Sequence, residues 1–310
     1  MSRIFDALQR SGAEQSGVEY PDLISVVTEV FEANREGTRL GVDPVVESPI
    51  HTPIEEVVEP ELPMPAVTQK PLSQELSEFP SLSVAVKPES RLVFFTDPDS
   101  LAAEKFRFLS VRLRQIQQNR SIKKVLVTST IPEEGKSLIS ANLAGALARR
   151  KQKVLLIEGD LRKPSLAKQF GLGRLAGLGE WLQGDHRKVS NVYRLDGPDL
   201  WFMPAGDPPV NALELMQSAN LSQLMAQLSA LFDWIIVDSP PLLPLADTTV
   251  WARLADGTLL VAREGKTRKA MLERGLQAVK KSDLLGVILN GCATSGDKHY
   301  YESYYNPSNK

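Results

Sequence analysis

The chain has 310 residues, of which 42% are hydrophobic and 24% are charged, with a formal net charge of −2. Its only cysteine, Cys292, excludes an intramolecular disulfide and fits a reducing compartment. No apolar run approaches the length that spans a bilayer, and the first residues lack the apolar stretch of a signal peptide. We therefore expect a cytoplasmic protein. No concentrated basic region suggests a nucleic-acid partner.

Residues 1–90 differ in composition from the rest of the chain. They are rich in Pro, Glu, Ser and Thr, and residues 1–100 carry 18 acidic and seven basic side chains. This composition predicts a largely disordered region that could dock on a basic surface. Within it, apolar residues between Leu23 and Phe31 recur at helical spacing and predict a short amphipathic helix. That helix packs either on the chain's own body or on another protein, and the sequence favours neither.

From Leu92 onward, short apolar runs alternate with helical segments. Near-continuous apolar strands between helices predict an α/β fold with a mostly parallel sheet covered by helices on both faces. We assign residues 91–295 to this domain and residues 296–310 to a flexible tail. The predicted strands are Val125–Thr128, Val154–Ile157, Leu200–Met203, Trp234–Val237, Thr258–Ala262 and Val287–Leu289. The predicted helices are Leu101–Gln117, Leu138–Arg150, Leu221–Leu231 and Arg268–Lys281.

A phosphate-binding loop follows the first of these strands. Gly135, Lys136 and Ser137 form the end of a P-loop, although Thr130 stands where the general pattern has its first glycine. Backbone N–H groups from Glu134 to Leu138 lie at a helix start, where they and the helix dipole favour an anion. The Lys136 ammonium can reach phosphates, and the Ser137 hydroxyl can bind Mg²⁺.

Carboxylates follow two further predicted strands. Glu158 and Asp160 come at the end of the second strand, and Asp238 at the end of the fourth. Strand ends in a parallel sheet meet at one edge, where ligands bind. Carboxylates beside a P-loop suit Mg²⁺, which keeps several waters and takes one or two carboxylates plus phosphate. The set predicts ATP and Mg²⁺ as ligands and Lys136, Glu158, Asp160 and Asp238 as catalytic candidates.

With these motifs, the stretch from Leu92 to Tyr305 resembles the bacterial tyrosine autokinases of capsule and exopolysaccharide biosynthesis, a branch of the MinD/ParA-like P-loop proteins. The resemblance extends to Pro204 to Gly206 and to Arg263 to Thr267. It implies that Thr130, Glu134 to Leu138 and Asn290 contact nucleotide, with Asn290 at the adenine. It also implies that Ser137, Asp160 and Asp238 organise Mg²⁺.

The resemblance gives the last tyrosines of the chain a role. A polar segment near the C-terminus contains Tyr300, Tyr301, Tyr304 and Tyr305, four of the six tyrosines in the chain. Such kinases phosphorylate a tyrosine cluster on a neighbouring subunit, which implies a homo-oligomer. They also work with a membrane adaptor of polysaccharide export, which implies recruitment to the inner face of the plasma membrane. A cluster that packs on a neighbour as an aromatic plug is the alternative.

Three positions depart from the family pattern. Glu133 replaces a glycine, Glu158 replaces an aspartate, and Ser110 replaces the last arginine of an oligomerisation motif that begins with Glu104 and Arg107. If the backbone at residue 133 needs a positive φ, a residue other than glycine is strained there. These departures keep two alternatives open: a catalytically weak ATP-binding scaffold and a MinD/ParA-like positioning ATPase. The latter carries a signature lysine where this chain has Ile131.

Overall fold

The computed structural model describes residues 76–184, 189–243, 246–279 and 283–292. The predicted helix within residues 23–31 and the C-terminal tyrosine cluster lie outside these ranges. The strands of the described part form one sheet in the order β1-β4-β5-β3-β6-β2-β7-β8, in which only the β4–β5 pair is antiparallel. They are β1 (Ser81–Leu82), β2 (Lys124–Ser129), β3 (Val154–Glu158), β4 (Tyr193–Leu195), β5 (Leu200–Met203), β6 (Trp234–Asp238), β7 (Gly257–Arg263) and β8 (Leu284–Asn290).

Helices cover both faces of this sheet. The predicted α/β class with a mostly parallel sheet is therefore confirmed. All six predicted strands and all four predicted helices are present. Most of their ends differ from the predicted ends, by one to three residues. The α-helices described are α1 (Val93–Thr96), α2 (Leu101–Asn119), α3 (Lys136–Ala148), α4 (Leu166–Gln169), α5 (Leu178–Gln183), α6 (Ala212–Met216), α7 (Ala219–Leu231), α8 (Asp247–Leu254) and α9 (Lys269–Ala278).

The central strands are apolar throughout because both of their faces are covered. In β2, Val125 and Val127 pack toward α2 and α3, whereas Leu126 packs on the opposite face with α7. Side chains alternate between the two faces of a strand, so one short run supplies two cores. Burial of these strands on both sides fixes their carboxyl ends, and the loops that follow, at one edge of the sheet.

Two short strands were missed by the sequence prediction. β1 lies inside the region expected to be disordered, yet it pairs with β4, and Leu76 just before it is 6% exposed in the core. Packed structure therefore begins before residue 91, contrary to that part of the expectation. Strands of two and three residues are too short to show a period in sequence, and the partner of β1 lies more than 100 residues away.

No helix in the described ranges combines the length and the apolar character needed to cross a membrane.

Candidate functional site

The predicted P-loop connects β2 to α3 at the carboxyl edge of the sheet. Gly135 immediately precedes α3 and has a φ of 96°, a conformation that glycine adopts readily. A Cβ at this position would lie 2.1 Å from Nδ2 of Asn290, so a larger residue would displace that amide as well as strain the backbone. Ser137 and Leu138 then form the first turn of α3, where backbone N–H groups are available to an anion.

Lys136 and Asp160 form an ion pair in this site. The Nζ atom of Lys136 lies 3.1 Å from Oδ2 of Asp160, and both side chains are largely buried. The other oxygen of Asp160 accepts a hydrogen bond of 3.0 Å from the backbone N–H of Lys163. The structure thus brings together two of the predicted catalytic residues, which are 24 positions apart in sequence.

Asp238 ends β6 beside the first turn of α3. It is 1% exposed, and Oδ1 accepts a 3.2 Å hydrogen bond from the hydroxyl of Ser140, with the Ser137 hydroxyl as a further partner. Burial raises the pKa of Asp238 to about 6, and the nearby positive charge of Lys136 partly opposes that rise. A buried carboxylate of this kind is stabilised by an added cation.

Glu158 ends β3, and its hydrogen bonds go to the backbone. One carboxylate oxygen accepts from the N–H groups of Ser165 and Leu166 at 2.5 Å, at the start of α4. The other oxygen accepts from the N–H of Ala205 at 3.2 Å, in the loop after β5. Burial raises the pKa of Glu158, and these backbone donors oppose the rise. Glu158 therefore links two loops beside the site by accepting hydrogen bonds from the backbone of both.

Glu133 occupies the position where the family pattern has glycine. Its φ is 64°, in the left-handed region, so the conformation that would strain a residue other than glycine is present. Its carboxylate lies 2.6 Å from Nζ of Lys266, which lowers the pKa of Glu133. Arg263 also donates to the Glu133 carbonyl at 3.2 Å. The loop between β7 and α9 therefore contacts the P-loop directly.

Glu134 is fully buried and forms a second set of contacts with neighbouring elements. Its carboxylate accepts from the backbone N–H of Ile131 at 2.9 Å and from the hydroxyl of Thr267. Its carbonyl accepts from Nδ2 of Asn290 at 2.9 Å. Asn290 is thus placed against the P-loop, and its predicted contact with adenine remains a prediction.

Thr130 lies at the start of the loop and is fully buried. Its hydroxyl has no hydrogen-bond partner in the described part of the chain, and a Cβ on Gly275 of α9 would lie 2.9 Å from it. The side chain of Thr130 therefore packs on α9, while its carbonyl accepts a hydrogen bond of 3.3 Å from the backbone N–H of Leu243. Its predicted role toward nucleotide remains a prediction, as do those of the tyrosines, which lie outside the described residues.

The sequence did not reveal the roles of Thr267, Lys266 and Ser140. Thr267 and Lys266 belong to the stretch that carried the family resemblance, but no role followed from it. Ser140 follows Lys136 by one helical turn, so its position facing the site could have been derived from helical spacing. Nothing local in the sequence marks the hydroxyl of Thr267 as a partner of Glu134, since 133 residues separate them.

The donor set at the strand ends consists of oxygen atoms. In the described ranges, no group of three or more His, Cys, Asp or Glu side chains forms a metal site by itself. A Mg²⁺ ion bound to phosphates needs only one or two carboxylates and keeps several waters. The buried carboxylates of Asp160 and Asp238 and the hydroxyl of Ser137 fit this requirement.

A loop of this shape between a buried strand and a helix, with a lysine at the helix start and aspartates at adjacent strand ends, defines a P-loop nucleotide-binding protein. The chain matches the family described as "CobQ/CobB/MinD/ParA nucleotide binding domain" over residues 125–305, more than half of its length. It belongs to this family and, within it, to the bacterial tyrosine kinases, as its relatives show. It is therefore a nucleotide-binding protein of the protein-tyrosine kinase class.

The tyrosine-protein kinase YwqD of Bacillus subtilis is 35% identical over 219 residues, which cover 70% of this chain and 92% of YwqD. The succinoglycan biosynthesis transport protein ExoP of Rhizobium meliloti is 32% identical over 62% of this chain, but the match covers only 25% of ExoP. Among solved structures, the chimerical protein CapA2B2 is similar with a TM-score of 0.60 and 27% identity, over 70% of this chain and 95% of that one.

Proposed function

We propose that the protein transfers the γ-phosphoryl group of ATP to tyrosines in the C-terminal cluster of a second copy of the chain. The observation that carries the proposal is the convergence of Lys136, Asp160 and Asp238 at the start of α3. Phosphoryl transfer depends on positioning and on charge neutralisation around the phosphates. A P-loop lysine and buried carboxylates at strand ends supply residue types suited to both.

In this proposal the backbone N–H groups from Glu134 to Leu138 bind the β-phosphate, and Lys136 leaves Asp160 for the phosphates. The tyrosine hydroxyl oxygen bonds to the γ-phosphorus as the bond to ADP breaks. The hydroxyl proton passes to a carboxylate, for which Asp160 is the candidate. Glu158 acts as a positioning residue, because its hydrogen bonds hold the backbone at the start of α4 and at Ala205.

Mg²⁺ is the proposed metal cofactor. Ser137, Asp160 and Asp238 would hold it, directly or through water, and its charge would neutralise the phosphates. The cation would also offset the burial of the Asp238 carboxylate, whose pKa is raised in its absence. The proposed contacts of Thr130 with phosphate and of Asn290 with adenine belong to the same arrangement.

The proposed acceptors are Tyr300, Tyr301, Tyr304 and Tyr305. Each phosphate adds a charge of about −1.5 to −2, so several phosphates in one segment repel one another and can separate the subunits of an oligomer. The similarity to a succinoglycan transport protein supports a role in exopolysaccharide or capsule export. A membrane adaptor of that machinery is the proposed partner, and it would recruit the kinase to the inner face of the plasma membrane.

The test is a phosphotyrosine assay on the purified full-length protein with Mg-ATP. The wild type is compared with Lys136→Met and with a chain that ends before Tyr300. Lys168→Met is a matched control, since Lys168 is an exposed lysine of α4. We expect labelling in the wild type and the control and none in the other two.

A wild type that binds Mg-ADP but forms no phosphotyrosine, even with an adaptor present, would contradict the kinase proposal. The left-handed backbone of Glu133 favours a weak ATP-binding scaffold as the second candidate. Fast ATP hydrolysis with ATP-dependent dimerisation would instead support a MinD/ParA-like ATPase.

A further inference from the structure

We propose that Thr267 is a positioning residue that holds the P-loop in its nucleotide-binding shape through the buried carboxylate of Glu134. The inference rests on the proposed function, since it concerns the same nucleotide site. It adds Thr267, which is not one of the predicted nucleotide contacts and which acts on them through Glu134. We refer to Glu134, Thr267 and Asn290 together as the P-loop clasp.

The hydroxyl of Thr267 has two partners. It donates to Oε1 of Glu134 and accepts a 2.7 Å hydrogen bond from the backbone N–H of Arg263. A hydroxyl has a single hydrogen to donate, and the N–H of Arg263 occupies an acceptor site. The hydrogen is therefore directed at Glu134. Thr267 is 4% exposed and Glu134 is 0% exposed, so water does not compete for this bond.

The remaining contacts of Glu134 determine the path of the loop. Its second carboxylate oxygen accepts from the N–H of Ile131 at 2.9 Å, which closes the loop on itself. Its carbonyl accepts from Nδ2 of Asn290 at 2.9 Å, so the peptide plane before Gly135 is fixed in orientation. The side chain of Glu134 is thus bound to the loop after β7, and its main chain is bound to the end of β8, the strand that pairs with β7.

The two donor residues of the clasp, Thr267 and Asn290, lie near or at the ends of two paired strands, β7 and β8. Arg263 and Asn290 are register partners at the ends of β7 and β8, and the N–H of Glu264 donates to the carbonyl of Asn290 at 2.9 Å. β7 in turn pairs with β2 up to Ser129, immediately before the loop. The donors of the clasp are therefore held by the sheet and do not depend on a bound ligand.

This arrangement has a consequence for nucleotide binding. An anion site built from backbone N–H groups binds tightly only when those groups already converge, since a disordered loop must be ordered at the expense of affinity. The clasp also directs the negative charge of Glu134 onto protein donors. Loss of the Thr267 hydroxyl leaves a buried carboxylate oxygen without its side-chain partner, and the loop must rearrange to satisfy it.

The experiment compares Thr267→Val, which removes the hydroxyl, with Thr267→Ser, which retains it. Thr258→Val is the matched control, because Thr258 is buried at the opposite end of β7. The dissociation constant of a fluorescent ADP analogue is measured with Mg²⁺, together with KM and kcat for ATP. We expect the valine variant to raise the dissociation constant and KM at least tenfold, with kcat changed less than threefold. The serine and control variants should stay within threefold of wild type.

Wild-type affinity in the valine variant would overturn the inference. So would an affinity loss shared by Thr267→Ser, or a fall in kcat without a change in KM. Thermal melting of the nucleotide-free proteins accounts for any unfolded fraction, and a loss explained wholly by unfolding also counts against it. Because ADP binding needs no phosphotransfer, failure of the clasp and failure of the kinase proposal give different results.

Discussion

The ammonium of Lys136 lies 3.1 Å from Oδ2 of Asp160, so the P-loop lysine is paired with a carboxylate that follows strand β3. In the proposed mechanism, the phosphates of the nucleotide replace Asp160 as the anionic partner of Lys136. This exchange would keep the lysine directed toward the site and free Asp160 to act on the bound nucleotide. Asp160 is thus the ion-pair partner of Lys136 in the structure, and in the proposed mechanism it also acts on Mg²⁺ and the tyrosine proton.

We expect Asp160→Asn to separate these two roles. Removing the charge should lower kcat for tyrosine phosphorylation by about 10²-fold or more, as losses of preorganised charge in active sites do. Affinity for ADP without Mg²⁺ should be retained or increased, because Lys136 no longer has a competing carboxylate. Initial rates and ADP titrations measure the two effects. Asp256→Asn is the control, since Asp256 pairs with Lys124 at 3.1 Å at the amino ends of the strands; a similar loss there would contradict the assignment.

The Glu133 position predicts a difference between two small substitutions. Glu133→Ala removes the carboxylate but keeps a Cβ at a φ of 64°, whereas Glu133→Gly removes both. We expect the glycine variant to melt at a higher temperature than the alanine variant, because glycine adopts this conformation without strain. Both should bind ATP more tightly than wild type at low salt, and the gain should shrink as salt screens the carboxylate. Equal melting temperatures would show that the loop relaxes without glycine.

The buried carboxyl of Asp238 predicts a trade between stability and activity. Its folded pKa, about 6, exceeds the ordinary value of 3.8, so the folded state holds the proton more tightly than the unfolded state. The stability due to that proton is complete below about pH 4 and is lost as pH rises through about 6. Asp238→Asn should therefore stabilise the nucleotide-free protein at pH 7.5 by about 1–3 kcal/mol, with a smaller gain at pH 5.

Urea denaturation at both pH values measures the stability change at Asp238, and the phosphotyrosine assay measures the accompanying loss of activity. A destabilised Asp238→Asn protein at pH 7.5 would mean that the hydrogen bond from Ser140 outweighs the burial of the charge.

The sequence predicted the parts of this molecule that rest on local patterns. β2 and β3 are short apolar runs bounded by turns, so hydrophobic periodicity predicts these strands and the fold. Lys136 follows a glycine at a helix start, so residue spacing predicts the P-loop. Because the strands are parallel, their carboxyl ends meet at one edge of the sheet, and this predicts where the site lies.

The sequence could not predict which polar groups meet across that edge. The hydrogen bond between Thr267 and Glu134 joins residues 133 positions apart. In the sequence alone, Thr267 looks like an ordinary loop threonine and Glu134 like a solvent-exposed glutamate. Glu158 illustrates the same limit, because a carboxylate at a strand end predicts chemistry as readily as capping. Its use depends on whether backbone N–H groups face it, and those belong to Ser165, Leu166 and Ala205.

Glu158 provides the sharpest test of that distinction, since the family pattern has aspartate at this position. Aspartate is shorter by one methylene and cannot reach the N–H groups of α4 and of Ala205 together. We expect Glu158→Asp to lower the free energy of unfolding by about 1–3 kcal/mol, because buried backbone donors lose their acceptor. The kcat of the folded fraction at saturating ATP should change less than fivefold.

Glu158→Gln complements this test, because it keeps the length and one acceptor oxygen but removes the charge. A catalytic carboxylate replaced by an amide would lose activity while the protein stays folded. If Glu158 is a positioning residue, Glu158→Gln should instead lower the stability of the protein. The new NH₂ group replaces one of the two carboxylate oxygens, and both of these oxygens face backbone N–H donors. Urea denaturation and kcat measured on the same preparations separate the two outcomes. A stable but inactive Glu158→Gln protein would return Glu158 to the reacting groups.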